Sequence, residues 1–305
     1  MHPSIPRPAR PTATARATLA LCAFTASAAM AQTAPPVSSA LPTDTVPTSP
    51  ALSEVQVRDS SATTGYQGAQ RNTAATRTDT PLIETPQSVR VVPQQLMEDL
   101  GATRLADTVD YVSGITRLND FGGTWDNYAI RGFSNTDGGQ LLNGFASNRG
   151  YGPQRDVSSV ERIEFLKGPA AALYGSSEPG GTLNIVSKKP LWKAAHSVEA
   201  YAGSYGLGRA ALDTTGPIND RLAYRLNVAV EDKGSFRDHV RAQRQVVAPA
   251  LTWKLSPDTV LEYTAEFLRH TTPLDRGVVA VNNRLGAVPA SRFLGEPADG
   301  DVTVA

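Results

Sequence analysis

The charged residues of the segment ERIEFLK (161–167) are the first whose types and spacing could do chemistry. Glu161 and Glu164 stand close together, and paired carboxylates are the groups that general acid and base catalysis uses. Arg162 lies between them, however, and an arginine beside two carboxylates indicates a network of ion pairs instead of an acid/base pair. The pattern therefore predicts ion pairs along a strand.

The rest of the sequence offers no other catalytic or metal-binding pattern. The histidines, His2, His196, His239 and His270, follow no spacing that is typical of metal ligands. No G-x-S-x-G nucleophile motif occurs, and GSSEPGG (175–181) lacks the lysine of a phosphate-binding loop. We therefore predict that the protein is not an enzyme and that its side chains bind no metal or cofactor.

Composition restricts the classes of partner. The 29 basic and 29 acidic residues give a formal net charge of zero, whereas a nucleic-acid-binding domain has a basic excess. We therefore expect no nucleic-acid partner. After residue 31 the chain has no run of apolar residues long enough for a transmembrane helix. A membrane crossing would have to use β-strands.

The N-terminus has the features of a secretory signal peptide. An arginine-bearing start precedes an apolar core (17–30), and AMA (29–31) fits the small-x-small cleavage pattern. We therefore predict a signal peptide over residues 1–31 and export of the mature protein. Cleavage would remove Cys22, the only cysteine, so we expect no disulfide.

Residues 32–79 are predicted to be a flexible linker. Its first part, residues 32–50, contains five prolines together with serine and threonine. LSEVQVRDS (52–60) alternates like a short strand but has no neighbouring strand with which to pair. Two interpretations follow: an ordinary linker, or a strand kept free so that the sheet of another protein can capture it.

Residues 80–190 are predicted to form a compact domain of helices and strands. QSVRVV (87–92) has the pattern of a strand, and Pro93 then begins a helix that ends at Gly101. The segments ERIEFLK and TLNIVSKK are predicted strands. A one-turn helix in PAAALYG and a glycine-rich turn join them.

After Pro190 the pattern changes to long segments in which apolar and polar residues alternate. RLAYRLNVAV has leucine, tyrosine and valine on one face and Arg225 and Asn227 on the other. VLEYTAEFLR likewise has an apolar face, and Glu262 and Glu266 lie on the opposite face. Such segments, with short turns at one end and longer loops at the other, are typical of an outer-membrane β-barrel. Strands of a soluble β-sandwich also alternate, but strand length and the asymmetry of the turns favour the barrel.

Five motifs occur in a fixed order along the chain: TDTPLIETPQSVRVV, LADTVDYVSGIT, YAIRGF, LLNGF and ERIEFLKGPAAALYGSSEPGGTLNIVSKKP. In this order and spacing they resemble the plug domain of TonB-dependent outer-membrane siderophore receptors. The resemblance covers residues 78–190 strongly and 191–269 as the start of the family's barrel. It implies an α+β plug domain at 80–190 inside a transmembrane antiparallel β-barrel of about 22 strands, located in the outer membrane.

The length of the chain limits how much of that barrel it can supply. Residues 191–305 have room for about five strands, at roughly ten residues a strand plus loops. We therefore expect the N-terminal portion of a receptor, with an incomplete barrel that does not transport by itself.

The resemblance favours the second interpretation of the strand-like segment near 52–58. In the family a short segment after the signal peptide is the TonB box, which the energy-transducing TonB complex binds. The residues that match it are Glu54, Val55, Gln56, Val57 and Arg58. Strand addition would supply the binding. We expect the TonB complex and the lipid of the outer membrane as partners.

The resemblance also implies two sets of site residues. The residues predicted to make polar contacts between the plug and the barrel wall are Arg131, Glu161, Arg162, Glu164 and Lys167. A ferric siderophore is the expected transported ligand, and the siderophore itself would hold the iron. The residues predicted to face it, in loops 118–127 and 146–154, are Trp125, Arg149 and Tyr151, since aromatic rings pack on chelates and an arginine pairs with their charge.

Two other functions remain open on the sequence. The first is a TonB-dependent receptor for another solute, such as haem, cobalamin or a glycan, which binding assays would distinguish. The second is a secreted, non-enzymatic binding module, which cell fractionation would distinguish because it would not enter the outer membrane.

Overall fold

The structure is a computed structural model that describes residues 65–66, 70–135, 139–147, 153–175, 178–284, 286 and 288–304. All of these residues belong to one unit of the chain, residues 59–305. Within the described ranges, no helix is long and apolar enough to cross a membrane.

Strands dominate the part of the chain that the structure describes. The helices are α1 Gln94–Asp99, α2 Ala106–Val109 and α3 Ala171–Tyr174. The strands are β1 Arg71–Asn72, β2 Thr80–Pro81, β3 Ser88–Pro93, β4 Ile115–Arg117, β5 Tyr128–Ile130, β6 Phe133–Ser134, β7 Gln140–Leu142, β8 Phe145–Ala146, β9 Val160–Lys167, β10 Gly181–Ser187, β11 Ala195–Gly203, β12 Leu207–Asn219, β13 Leu222–Gly234, β14 Arg241–Ser256, β15 Thr259–Thr264, β16 Phe267–Thr272 and β17 Val302–Val304.

A five-stranded sheet in the order β3-β9-β10-β7-β8 forms the centre of the plug, as we call residues 70–190. Strand β10 pairs antiparallel with β9 and parallel with β7. Helix α1 contacts β3 and β9, and β4, β5 and β6 form a smaller antiparallel sheet. The predicted α+β domain is confirmed.

Proline and glycine mark the ends of elements in the plug where the sequence predicts them. Pro93 has an extended backbone and leads directly into α1, and Gly101, with φ of 59°, follows the end of that helix. Gly181 begins β10 with φ of 152°, and a Cβ there would lie 2.4 Å from the carbonyl oxygen of Leu166. Only glycine allows β9 and β10 to approach so closely.

Apolar side chains from the larger elements of the plug meet in one core. Its buried members are Val92, Met97, Leu105, Ala106, Val109, Val112, Ile115, Tyr128, Ile130, Val160, Ile163, Phe165, Leu183 and Ile185. All of these residues precede Pro190. The plug therefore has a hydrophobic core of its own.

The N-terminal limit of the plug differs from the prediction. Residues 71–79, predicted to be linker, are folded onto the plug: β1 pairs with β2, and Ala74 and Ala75 are buried beside Leu166. The reason is the carboxylate of Glu164, which binds the backbone of this segment from 91 residues away. Local composition carries no sign of such a distant partner.

Strands β11 to β17 form the second large sheet, which we call the wall. Its order is β11-β12-β13-β14-β16-β17, with β15 also paired to β14, and every pair is antiparallel. Short turns at 220–221 and 257–258 lie at one end, and the longer connections 235–240 and 273–301 lie at the other. The described strands form an open sheet, as predicted for an incomplete barrel.

The gap between β15 and β16 lies opposite Pro249. The carbonyl of Pro249 accepts a hydrogen bond from the amide of Ala265 at 3.0 Å, but proline has no N–H group that could donate a second bond to the neighbouring strand. Strand β14 keeps a single register with both pieces. Residues 259–272 therefore act as one wall strand with a local break.

The two faces of the wall differ as the alternating pattern predicts. The exposed, outward residues include Leu212, Val230, Val247, Leu251, Trp253, Leu261, Tyr263 and Phe267. The buried residues on the opposite face include Arg209, Ala223, Asn227, Ala229, Glu231, Arg244 and Thr252. An apolar outer face and a polar inner face are the arrangement of membrane-barrel strands.

Candidate functional site: the contact between plug and wall

A row of charged side chains crosses three neighbouring wall strands. The register pairs Arg209 of β12 with Glu231 of β13, and Glu231 with Arg244 of β14. All three side chains are buried on the face that meets the plug. Glu231 accepts from Arg244 at 2.9 Å and from Arg209 at 3.4 Å, so one carboxylate lies between two guanidinium groups.

Asp156 of the plug completes this row. Both of its oxygens accept from Arg209, at 2.7 and 2.9 Å, and one also accepts from Arg244 at 3.3 Å. A bidentate pair of this kind is among the stronger hydrogen-bond geometries. Two carboxylates and two guanidiniums thus balance in charge at the centre of the contact.

The charge of Asp156 is maintained despite burial. Burial alone would raise the pKa of this carboxyl, but its hydrogen bonds with Arg209 and the charges of Arg209 and Arg244 lower the pKa below its ordinary value. Asp156 is therefore ionised at neutral pH. Arg244 also donates to the carbonyl of Thr103 at 3.2 Å, which joins the wall to the backbone of the plug.

A second ionic contact centres on Asp213 of β12. Lys188, at the end of the plug, donates to it at 3.0 Å, and Arg225 donates at 2.9 and 2.7 Å. Arg225 also donates to the carbonyl of Lys189 at 3.0 Å. The segment that leads from the plug into the wall is therefore held at its start.

The third contact uses the two carboxylates that the sequence places on the polar face of the last long strand. Glu266 accepts from Arg155 at 2.9 Å and from the hydroxyl of Ser159 at 3.0 Å. Glu262 accepts from Lys189 at 2.8 Å. All three partners belong to the plug, so the predicted polar face of this strand is the face that meets the plug.

Small cavities with both charged and apolar lining residues lie between the plug and the wall. One, of about 40 Å³, and a second, of about 30 Å³, share Ser158, Lys188 and Glu199 in their linings. Spaces of this size have room for a water molecule or two. Ion pairs can be exchanged for contacts with water, whereas separating an apolar core exposes its apolar surface to water.

One of the residues predicted to make these contacts, Glu164, lies inside the plug instead. Glu164 is wholly buried inside the plug and binds Thr73, Ala74, Asn184 and Arg162, so its predicted contact with the barrel wall is wrong.

The other four predicted contact residues also have their described surroundings in the plug. Arg162 donates to both Glu161 and Glu164, which is the ion-pair network that their spacing predicts. Lys167 donates to the carbonyl of Ser113 at 2.7 Å. Arg131 is exposed, with φ of 53°. A wall contact for Arg131, Glu161, Arg162 and Lys167 stays a prediction.

The residues that do join plug and wall were missed at the sequence level. Arg225, Glu262 and Glu266 carried a signal, since alternation places them on the polar face. Asp156 lies in an irregular segment without periodicity, and the alignment of Arg209 with Glu231 depends on strand register, which alternation leaves open.

The predicted ligand-facing loop, residues 118–127, forms what we call the plug tip. Trp125 packs against Phe121, with ring centroids 4.2 Å apart, and Phe121 is exposed. Arg149, Tyr151 and the five TonB-box residues, Glu54, Val55, Gln56, Val57 and Arg58, lie outside the described residues.

A buried carboxyl supports the plug tip from below. Asp126 accepts from the hydroxyl of Tyr128 and from the amide of Arg155, each at 2.7 Å. Burial raises the pKa of Asp126 above its ordinary value, although these hydrogen bonds act in the other direction. The tip is thereby joined to the segment that carries Arg155 and Asp156. Within the described ranges, no group of three or more metal-ligating side chains occurs.

Comparisons with known proteins agree with this geometry. Residues 81–182 match the TonB-dependent receptor plug domain. The chain is 42% identical over 240 residues to the metal-pseudopaline receptor CntO of Pseudomonas aeruginosa, covering 78% of this chain and 34% of that receptor. It is 36% identical over 207 residues to the ferrioxamine receptor of Yersinia enterocolitica, covering 65% and 29%.

Solved structures of receptors have a similar fold. The crystal structure of the ferripyoverdine receptor of the outer membrane of Pseudomonas aeruginosa, bound to ferripyoverdine, has a TM-score of 0.66 and 30% identity, and the match covers 73% of this chain and 31% of that one. The chain thus spans about a third of the length of the curated relatives it matches. These likenesses show that the chain carries the plug domain of the TonB-dependent receptors and the strands that follow it.

Proposed function

We propose that the protein takes up ferric siderophores across the outer membrane. The observation that carries the proposal is the contact between plug and wall, in which ion pairs join a plug with its own apolar core to a sheet whose other face is apolar. A plug held in this way can shift against the wall while its core stays closed. The relatives named as ferrioxamine and ferripyoverdine receptors support the same ligand class.

The uptake of iron tests this function directly. The whole protein, expressed in a cell that lacks its own receptors, should import radioactive iron supplied as ferrioxamine or ferripyoverdine. Cells with an empty vector give the background. Outer membranes that contain the protein but neither bind nor import any ferric siderophore would overturn the proposal.

We propose that the TonB complex energises this uptake by capturing residues 54–58 as an added strand. Proline fixes φ and removes a backbone donor, so it opposes strand addition. Val55→Pro should therefore abolish uptake and leave siderophore binding unchanged. Thr48→Pro, in the proline-rich linker, is the matched control and should retain uptake. Equal uptake by the two variants would contradict this role for the segment.

Three further parts of the proposal rest on the sequence. Residues 1–31 are a cleaved signal peptide, the protein is not an enzyme, and the siderophore alone holds the iron. The 305-residue chain expressed by itself should give no uptake, since five long strands cannot surround the plug. A secreted binding module is the weaker alternative, because the outward Val230, Val247 and Trp253 would then face water.

A second candidate is a receptor for chelates of other metals. The observation that favours it is the 42% identity to a protein named as a metal-pseudopaline receptor. Uptake of radioactive zinc or nickel, each supplied with and without an organic chelator, distinguishes the candidates. Chelator-dependent import of zinc or nickel together with no import of ferric siderophores would favour the second. Haem, cobalamin and glycans serve as competitors in the same assay.

A further inference from the structure

The connection between β16 and β17, residues 273–301, is long, and those of its residues that the structure describes, all but 285 and 287, have almost no regular structure. Its single described helical turn is the 3₁₀ segment Pro297–Asp299. A connection of this length, which we call the outer loop, needs hydrogen bonds from elsewhere to hold one conformation. The shorter connection between β13 and β14, at 235–240, supplies several of them.

Arg237 of that shorter connection is buried and joins both limbs of the outer loop. Its guanidinium donates twice to the carboxylate of Asp275, and to the carbonyl of Gly277 at 3.0 Å, on the first limb. On the second limb it donates to the carbonyls of Ala290 at 2.6 Å and Arg292 at 3.0 Å. A guanidinium has five N–H donors in a fixed plane, and lysine has neither that number nor that shape.

Asp275 also lies against the plug tip. A Cβ on Gly122 would stand 2.6 Å from the amide nitrogen and 2.8 Å from the carbonyl oxygen of Asp275, so the two backbones are in direct contact. One residue further on, the carbonyl of Gly123 pairs with Nε2 of His270 at 3.0 Å. The tip therefore touches both the end of β16 and the start of the outer loop.

We propose that Arg237 is a positioning residue that holds the outer loop on the plug tip, and that the contact between Asp275 and Gly122 makes the two segments order together. Arg237 holds the backbone of Asp275 in place, and Asp275 then restricts the positions that the backbone of the plug tip can take. A displacement of either segment is transmitted to the other through this contact. This coupling is a property of the ligand-free protein and goes beyond the proposed transport function.

Hydrogen exchange of the whole protein in isolated outer membranes tests the proposal without any ligand. In Arg237→Gln, the outer loop loses the bonds that join its limbs, so the amide of Asp238, which donates to Ser291, should exchange at least about tenfold faster. The decisive readout is the plug tip. The amides of Thr124 and Trp125, which donate to Asp120, should also exchange faster.

A purely local role for Arg237 would loosen the outer loop and leave the amides of the tip unchanged, and that result would overturn the proposal. Arg237→Lys keeps the charge but cannot reach both limbs, so it should resemble Arg237→Gln at the tip. Full protection in Arg237→Lys would show that charge alone suffices, and would also contradict the proposal. The amides of β9 and β10 report whether each variant is folded.

Two adjacent glycines supply the reciprocal test from the side of the plug. Gly122 and Gly123 have similar backbones, with φ of 75° and 82°, so alanine is equally strained at each. Only the Cβ at 122 would meet Asp275, because a Cβ at 123 has nothing within 4 Å. Gly122→Ala should therefore speed exchange in the outer loop, and Gly123→Ala should not. Equal exchange rates of the outer-loop amides in the two variants would contradict the proposed coupling.

Discussion

At the scale of single residues, the buried carboxylate of Glu164 determines where the N-terminal segment of the plug lies. Its oxygens accept from the amides of Thr73 and Ala74, the side-chain amide of Asn184 and the guanidinium of Arg162. Burial of the charged carboxylate would be unfavourable without these donors, and burial of the donors would be unfavourable without the carboxylate. If the N-terminal linker is pulled, these bonds and those of the buried Asn72 just before them resist the displacement.

Glu164→Gln should release the N-terminal segment. The NH₂ group of glutamine would point two donors at neighbours that are themselves donors and need an acceptor. Breaking a buried charged pair costs about 3 kcal/mol. We expect the amides of Thr73 and Ala74 to exchange about a hundredfold faster. The control is Glu161→Gln, since Glu161 is more exposed and binds only Arg162 among its described partners, and its loss should cost less than about 1 kcal/mol. Comparable effects of the two variants would contradict the role of Glu164.

Asp156 gives the contact between plug and wall a dependence on pH. Its pKa is lowered in the folded protein, so the contact gains stability above the ordinary carboxyl pKa of about 4 and loses it as the pH falls through the lowered value. The amide of Leu105, which donates to Arg155, is a nearby probe. Its protection factor should be constant near neutral pH and fall below about pH 4.

The variant Asp156→Asn isolates this effect from other carboxylates. Asparagine does not titrate, so the Leu105 amide should already be less protected at neutral pH and should change less on acidification. A variant with the same pH profile as the parent protein would show that Asp156 is not the group responsible.

At the scale of elements, the alternation of apolar and polar residues predicts which face of the wall each side chain is on. Which side chains become neighbours on that face depends on the register between strands. Arg225, Glu262 and Glu266 were predicted on the polar face and do contact the plug. Glu164 also alternates along a strand, but it lies in a sheet covered on both sides, where polarity does not indicate a wall contact. The role of Asp156 could be found only from the folded structure, since its partners Arg209 and Arg244 are 53 and 88 residues away.

The outward face of β14 provides a test of membrane position. Val247 lies near the middle of the strand and Gln243 near its outer end, and both side chains are exposed on the same face. An arginine costs about 2–4 kcal/mol at the centre of the bilayer and about 0–1 kcal/mol near its surface. Val247→Arg should therefore reduce the amount of assembled protein in outer membranes much more than Gln243→Arg does. Equal amounts of the two variants would contradict a lipid-facing β14.

At the scale of the whole molecule, apolar and polar contacts are divided between two places. The core of the plug is built of apolar residues that all precede Pro190, whereas the ion pairs of Asp156, Lys188 and Arg155 join it to the wall. Weakening those ion pairs should therefore separate plug from wall before the plug itself opens. The opposite order would require the apolar core to be the weaker of the two.

Cysteine labelling can determine that order, because the only natural cysteine is Cys22, inside the predicted signal peptide. Ser158→Cys reports on the gap between plug and wall, where Ser158 lines both small cavities, and Thr182→Cys reports on the interior of the plug, where Thr182 is wholly buried. Adding Asp156→Asn and Glu266→Gln should raise the rate of maleimide labelling at position 158 at least about tenfold, which corresponds to ~1.4 kcal/mol. Position 182 should stay unlabelled. Labelling of both positions at similar rates would mean that the plug unfolds when its contacts with the wall are weakened, and that the division between an apolar core and an ionic contact does not govern how the molecule opens.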